Sequence, residues 1–327
     1  MPVRVAVVGA GYLGQHHARV YSEIREAELV GVVDIDLERA REVAARYGSR
    51  AFSSYKEVLD SSDALSIVVP TTSHYEVALD CIRAGKDVLV EKPMTVTLEQ
   101  ADALIREAKR TGHILQVGHL ERYNPGVIAL STMIVKPRFI EALRVSPFLS
   151  RAADVDVTLD LMIHDIDVIL SLVPSPIKTL HATGFSFITE KIDDARAWIE
   201  FENGTVAILT SSRMARDKER KLKVFQEDSY LELDYQKTEI RRYYHPSCGR
   251  AHTVTPDPSL CGLKLEVRSE SVPGCSVDTI KPEYMEPLKK ELTDFIHCIV
   301  NGERPKVSGT EGRDALNVAL EINSLMR

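Results

Sequence analysis

Through about the first 120 positions, short aliphatic runs alternate with amphipathic stretches. Residues 4–8, 29–33, 64–69, 87–90 and 114–117 are largely apolar with no polar alternation, as strands covered on both faces require. Between them, residues 13–24, 37–47, 54–59, 74–84 and 98–110 repeat their apolar positions at the spacing of a helix with one buried face. This alternation predicts a parallel, doubly wound sheet. Right-handed crossovers then put ligand sites at the carboxyl ends of its strands.

The rhythm changes after Arg122-Tyr123-Asn124-Pro125. Strands follow one another at residues 138–145, 178–187, 195–201, 205–212, 220–226, 230–234 and 238–243, with helices at 158–172, 287–300 and 310–326. Asn203-Gly204 separates two of these strands, and Asn-Gly readily takes the positive φ values of a tight hairpin turn. The pattern predicts an α/β domain over residues 1–121 followed by an α+β domain over 122–327, the latter built on a large, open, mainly antiparallel sheet. An open sheet has a face that its own helices or a second subunit must cover. Residues 245–281, rich in Pro, Ser and Gly, read as a long loop.

Gly9-Ala10-Gly11-Tyr12-Leu13-Gly14 follows the first strand and opens the first helix. In that context Gly9 allows the turn, Gly11 lets the backbone approach a pyrophosphate, and Gly14 lets helix and strand pack closely, so a dinucleotide site is expected. Asp34 ends the second strand 20 residues beyond Gly14. Its carboxylate suits a ribose 2′-hydroxyl and repels a 2′-phosphate, which favours NAD over NADP. Pro70-Thr71-Thr72-Ser73-His74 ends another parallel strand at the same edge. Thr71 and His74 there either face the cofactor or belong to a helix cap.

Composition narrows the class further. Forty-one basic and 48 acidic residues give a net charge of −7, so no global charge draws the chain to nucleic acid or anionic lipid. No apolar run reaches the ~18 residues of a membrane span, and the first residues read as a strand rather than a signal peptide, so a cytoplasmic location is expected. Cys81, Cys248, Cys261, Cys275 and Cys298 are odd in number and scattered, as free thiols are. Cys248, Cys261 and Cys275 with His245 and His252 lack the tight spacing of a zinc site, so no metal is expected. His16, His17, His113 and His181 occur singly and read as structural or surface residues.

Val90-Glu91-Lys92-Pro93 closes the next strand, and Asp160 and His164 lie four apart in the 158–172 helix. With the glycine motif and Asp34, these residues resemble the glucose-fructose oxidoreductase, inositol dehydrogenase and rhizopine-catabolism family (Gfo/Idh/MocA) along the whole chain. The resemblance implies an NAD-dependent dehydrogenase acting on CH–OH groups, with a Rossmann domain and an open-sheet domain that carries substrate and forms homodimers or homotetramers. It implies that Gly9, Gly11, Tyr12, Leu13, Gly14, Asp34, Thr71, His74, Glu91 and Lys92 meet the cofactor, and that Lys92 stands beside the nicotinamide and the reacting carbinol. An ammonium there stabilises a developing alkoxide; the alternative is a solvated lysine before a proline turn. The Lys92–Pro93 bond is expected to be cis.

Asp160, His164 and Asp167 fall at i, i+4 and i+7, one face of a helix whose other faces are apolar. His164 is the candidate to take the hydroxyl proton, with Asp160 placing the substrate or the imidazole. The alternative is a structural histidine held by carboxylates, and the choice of base between His164 and Lys92 stays open. Asp165 and Asp167 read as capping or solvating residues.

Residues 116–125 and 154–167 resemble the branch of the family that oxidises the 3-hydroxyl of UDP-N-acetylglucosamine ahead of an aminotransferase, in making a 3-amino sugar for lipid A of lipopolysaccharide. That implies a sugar-nucleotide substrate, with His119, Arg122 and Asn124 lining its pocket or else fastening the domain junction. Arg213, Arg216, Lys218, Arg220, Lys221 and Lys223 form a basic stretch that suits a diphosphate or, equally, solubility and edge protection. An inositol or free-sugar dehydrogenase needs no diphosphate clamp; a non-catalytic dinucleotide-binding regulator needs neither Lys92 nor the Asp160/His164 pair.

Overall fold

The computed structural model describes residues 1–148, 155–245 and 262–326. Among these the chain forms two compact units, Met1–Leu120 with Glu286–Leu316, and Glu121–Met285 with Asn317–Arg327.

The first unit runs β1 (Val3–Val8), α1 (Tyr12–Glu23), β2 (Ala27–Val33), α2 (Leu37–Arg46), β3 (Arg50–Phe52), β4 (Ala64–Ile67), α3 (Thr71–Arg83), β5 (Asp87–Glu91), α4 (Leu98–Thr111) and β6 (Leu115–Gly118). Its six strands lie in the order β3-β2-β1-β4-β5-β6, all parallel. The order reverses between β1 and β4, where the carboxyl ends of the strands open a crevice. The expected helix at 54–59 is two short 3-10 turns, Tyr55–Glu57 and Leu59–Ser61, because Ser54 caps the first and the chain turns again at Val58. The short edge strand β3 before them carries no periodic signal.

Residues 286–316 join the first unit, where the sequence reading places everything after residue 121 in the second. Helix α7 (Pro287–Asn301) buries Leu292, Phe295 and Ile296 in the same core as Val3, Val5, Ala18, Val20 and Leu89. Each such side chain contributes about 1.5–3 kcal/mol by leaving water, which ties this late segment to the first sheet. The last helix is α8 (Gly309–Leu325).

The second unit is built on nine strands in the order β14-β15-β13-β12-β11-β7-β10-β9-β8. They are β7 (Phe139–Val145), β8 (Ile177–Phe185), β9 (Asp194–Phe201), β10 (Val206–Ser212), β11 (Glu219–Phe225), β12 (Ser229–Asp234), β13 (Glu239–Tyr244), β14 (Leu265–Val272) and β15 (Cys275–Pro282). Among the described residues of this sheet only β7 and β10 pair in parallel. Residues 265–281, expected as loop, fall in the hairpin β14-β15 turned at Gly274. Strand β14 is an exposed edge carrying Glu266, Arg268 and Glu270, so no apolar alternation betrays it. Cys248, Cys261 and His252 lie outside the described residues, as does Asp154.

Helix α5 (Pro125–Ser131), absent from the sequence reading, starts where the Asn124 side chain accepts the Gly126 N–H and Pro125 takes the first helical position. The stretch expected as one helix from 158 begins instead as a π turn, Thr158–Met162, and continues as α6 (Ile163–Leu172). The Ile163 N–H reaches back five residues to Thr158 O. The wide turn is anchored by the Thr158 hydroxyl on Asn323 Oδ1 and by Asp156, which accepts from Asn323 Nδ2 at 3.2 Å and from Ile192 N at 2.9 Å.

Candidate active site

In the first unit the carboxyl ends of β1, β2, β4, β5 and β6 bring the glycine turn, Asp34, Thr71, Glu91-Lys92 and His119 to one edge. Gly9 has φ of +104°, and a Cβ there would meet Val68 O at 2.4 Å; at Gly14 it would meet Gly9 O at 1.8 Å. Gly11 differs, because a Cβ on it meets nothing within 4 Å. It caps α1 without any side-chain hydrogen bond, and Tyr12 and Leu13 of the first turn are exposed. The helix therefore offers uncapped N–H groups and open space to an anion, as a pyrophosphate requires. Asp34 is 8% exposed, accepting from Ala10 N at 2.8 Å and Asp36 N at 2.9 Å, with the Arg39 guanidinium 3.7 Å away. Its carboxylate thus braces the glycine turn from the end of β2, where a ribose would lie. These residues fit a bound dinucleotide.

Thr71 is the first residue of α3, after a Pro70 cap position with no side-chain bond, so the capping alternative does not hold for it. His74 is buried, with its ring nitrogens 3.0 Å from Pro93 O and 2.8 Å from Val69 O. Burial holds its pKa down, against the pull of the two carbonyl oxygens. The ring ties the chain after β4 to the chain after β5. Lys92 follows β5 directly, and the Lys92–Pro93 bond is cis, as expected. Glu91 faces inward: its Oε1 lies 3.1 Å from His17 Nε2, and its Oε2 accepts the Lys92 N–H at 3.3 Å. Burial alone would push the Glu91 carboxyl up, but His17, Lys92 and His74 bring it below the ordinary value. His119 is buried after β6.

In the second unit Asp160 and His164 are half-buried, Asp160 in the π turn and His164 in the first turn of α6. Asp167 does not cap or solvate the helix, being buried and bonded to Arg122 Nη1 at 3.3 Å. Nor does Asp165 cap or solvate the helix. It is buried in a two-pronged pair with Arg144, both N–O distances being 2.8 Å. Arg144 also donates to Glu121 at 2.9 Å and lies over the Tyr235 ring. Burial would lower the Arg144 pKa, but Asp165 and Glu121 raise it well above the ordinary value. The Asn124 amide is engaged at both ends, by Gly126 N and Glu121, and so holds the chain entering α5.

The basic stretch separates by strand alternation. Lys221 pairs with Glu219 and Lys223 with Glu141. Arg220, on the opposite face of β11, sits across from Arg144 and 3.5 Å from Glu121. Arg213 is buried, donating to Val155 O at 2.6 Å with its Nε 3.8 Å from Asp193, which removes it as a diphosphate holder. Arg216 and Lys218 are exposed. Sequence reasoning missed Arg144 and Glu121, since charged side chains read as surface residues, and it left His17 as a structural or surface histidine without its partners. Among the described residues no group of acidic, histidine and cysteine side chains is arranged to hold a metal.

Residues 3–119 match the oxidoreductase family with an NAD-binding Rossmann fold, and residues 137–232 match the GFO/IDH/MocA C-terminal domain. The UDP-N-acetylglucosamine 3-dehydrogenase of Acidithiobacillus ferrooxidans is 37% identical over 321 residues, covering 98% of this chain and 96% of that protein. The NAD(+)-dependent scyllo-inositol 2-dehydrogenase of Bacillus subtilis is 27% identical, over 99% of this chain and 94% of its own. A solved structure of the Acidithiobacillus enzyme superposes with a TM-score of 0.89 at 34% identity, covering 100% of this chain and 98% of that one.

Proposed function

This chain belongs to the GFO/IDH/MocA family of NAD-dependent oxidoreductases, and we propose that it oxidises the 3-hydroxyl of UDP-N-acetylglucosamine to the 3-keto sugar nucleotide. The observation that carries this reading is the likeness to a UDP-N-acetylglucosamine 3-dehydrogenase over nearly the full length of both chains. Such a ketone suits an aminotransferase as the next step.

Gly9, Gly11 and Gly14 with the first turn of α1 hold the pyrophosphate, and Asp34 holds the ribose diol of the adenosine half. Tyr12, Leu13 and Thr71 face the cofactor, whereas Glu91 and His74 act from behind Lys92. When bound, NAD supplies the hydride acceptor. Lys92 presents an ammonium to the oxygen on which negative charge develops, and His164 accepts the hydroxyl proton. Asp160 orients the substrate or the imidazole. His119 and Arg122 contribute to sugar binding, while Asn124 supports them through the α5 cap.

We expect Lys92→Ala and His164→Ala each to lower kcat by about 100-fold or more, while the NAD affinity stays within about threefold. Turnover at the wild-type rate in either variant removes that residue from the mechanism.

A second copy of the chain covering the open sheet is part of the same proposal. On the face opposite Leu222, Leu231 and Ile140, the rings of Phe139, Phe225, Tyr230 and Tyr243 stand in a row across β7, β11, β12 and β13, with centroids 5.5, 4.6 and 5.2 Å apart. Trp198 on β9 adds an exposed indole. Among the described residues no helix is long and apolar enough to cross a membrane, which is consistent with the proposed cytoplasmic location.

A further inference from the structure

A chain of hydrogen bonds that the chemistry above does not use crosses the interior of the first unit. It starts at the Tyr21 hydroxyl, 3.0 Å from Ser66 Oγ; Ser66 Oγ is 3.1 Å from His17 Nδ1; and His17 Nε2 is 3.1 Å from Glu91 Oε1. Tyr21, Ser66 and His17 are fully buried. One proton order that satisfies every link runs from the Tyr21 hydroxyl to Ser66, from Ser66 to His17 Nδ1, and from the His17 Nε2–H to the carboxylate. The other Glu91 oxygen accepts the backbone N–H of Lys92 at 3.3 Å.

An interior packed between a helix and a sheet needs no such row, since apolar side chains would fill it at less cost in desolvation. The surroundings are nonetheless shaped for it. A Cβ at Gly118 on β6 would lie 2.9 Å from the Glu91 carboxylate, so the neighbouring strand leaves room for that group. His17 itself lies on α1, the helix whose first turn faces the dinucleotide.

We propose that His17 is a positioning residue: by fixing the Glu91 carboxylate it sets the strand end that presents Lys92 to the reacting alcohol. The inference rests on Lys92 acting at that alcohol. The charged and titratable groups facing Glu91 are His17 and, further off, Tyr21 from α1, His74 from α3, and Lys92 beside it. Loss of the His17 donor leaves Lys92 and His74 alone against burial and raises the carboxyl's pKa.

The test measures kcat against pH at saturating NAD, with NAD affinity by calorimetry, in His17→Leu, His17→Gln and Lys92→Ala. We expect His17→Leu to lower kcat by about 10- to 100-fold, to move the acid limb of the profile upward, and to leave NAD affinity within about twofold. In His17→Gln the amide N–H still reaches the carboxylate, and kcat returns to within about threefold of wild type. Should His17→Leu not fold, Ser66→Ala, which frees the ring to change tautomer, is expected to show the same upward limb in smaller degree. A kcat loss equal at every pH, or equal in the Leu and Gln variants, overturns the proposal. If Lys92→Ala is inactive while the His17 variants match wild type, the positioning role alone fails; if Lys92→Ala turns over normally, the reading of Lys92 fails with it.

Discussion

Arg144 shows how much of the second unit depends on one side chain. Its guanidinium is the cation between the buried carboxylates of Asp165 and Glu121. Burial would raise the Glu121 carboxyl, but Arg144 and Arg220 hold it below the ordinary value. A depressed carboxyl stabilises the fold above its unfolded pKa, and that stability is lost as pH falls through the folded value. Arg144→Met leaves the buried Asp165 without its cation and Glu121 with Arg220 alone, and is predicted to cost about 3–5 kcal/mol in urea unfolding at neutral pH. The deficit shrinks in acid, where a protonated carboxyl no longer needs the cation; an equal deficit at neutral and acid pH contradicts the assignment. Asp34 works at the same scale. Asp34→Ala is expected to erode the preference for NAD over NADP, read from the ratio of their kcat/KM values, and an unchanged ratio shows that the carboxylate does not choose the cofactor. Asp34 was legible from its spacing after the glycines. Arg144 was not, because a charged side chain in a strand reads as turned to water, although this one lies on the same face as Ile140 and Ala142.

We place the cofactor's pyrophosphate on the glycine turn, whose glycines differ in what they permit. Gly14 packs on Gly9 O, so Gly14→Ala is predicted to lower the unfolding temperature and abolish NAD binding together. Gly11 has open space around it. Gly11→Ala is predicted to leave the unfolding temperature nearly unchanged while weakening NAD binding at least about tenfold, because the methyl group enters the pyrophosphate's place. Equal NAD affinity in Gly11→Ala and wild type, by calorimetry, refutes that geometry. This element was legible because strand, glycines, helix and Asp34 reinforce one another in sequence. The π turn at Thr158–Met162 was not, since its residues keep a helical apolar pattern and the cause lies in Asn323 and Asp156. The β14-β15 hairpin was hidden for the opposite reason: its outer strand buries almost nothing.

For the whole molecule, the succession of strand types foretold two architectures but not that α7 returns to the first. Periodicity marks α7 as amphipathic without saying which core receives Leu292, Phe295 and Ile296. In the proposed assembly a second copy covers the row of aromatic rings on the nine-stranded sheet. Replacing Tyr230 with Arg in the middle of that row is predicted to shift the protein toward monomers in sedimentation while NAD affinity is kept, and an unchanged sedimentation coefficient places the subunit contact elsewhere. The reading of the chain as a sugar-nucleotide dehydrogenase is tested most directly by supplying NAD with UDP-N-acetylglucosamine, N-acetylglucosamine or an inositol, and following the near-ultraviolet absorbance of the reduced nicotinamide. The account predicts rapid reduction with the UDP-sugar and little with the others; reduction by an inositol or a free sugar, with none from UDP-N-acetylglucosamine, contradicts it.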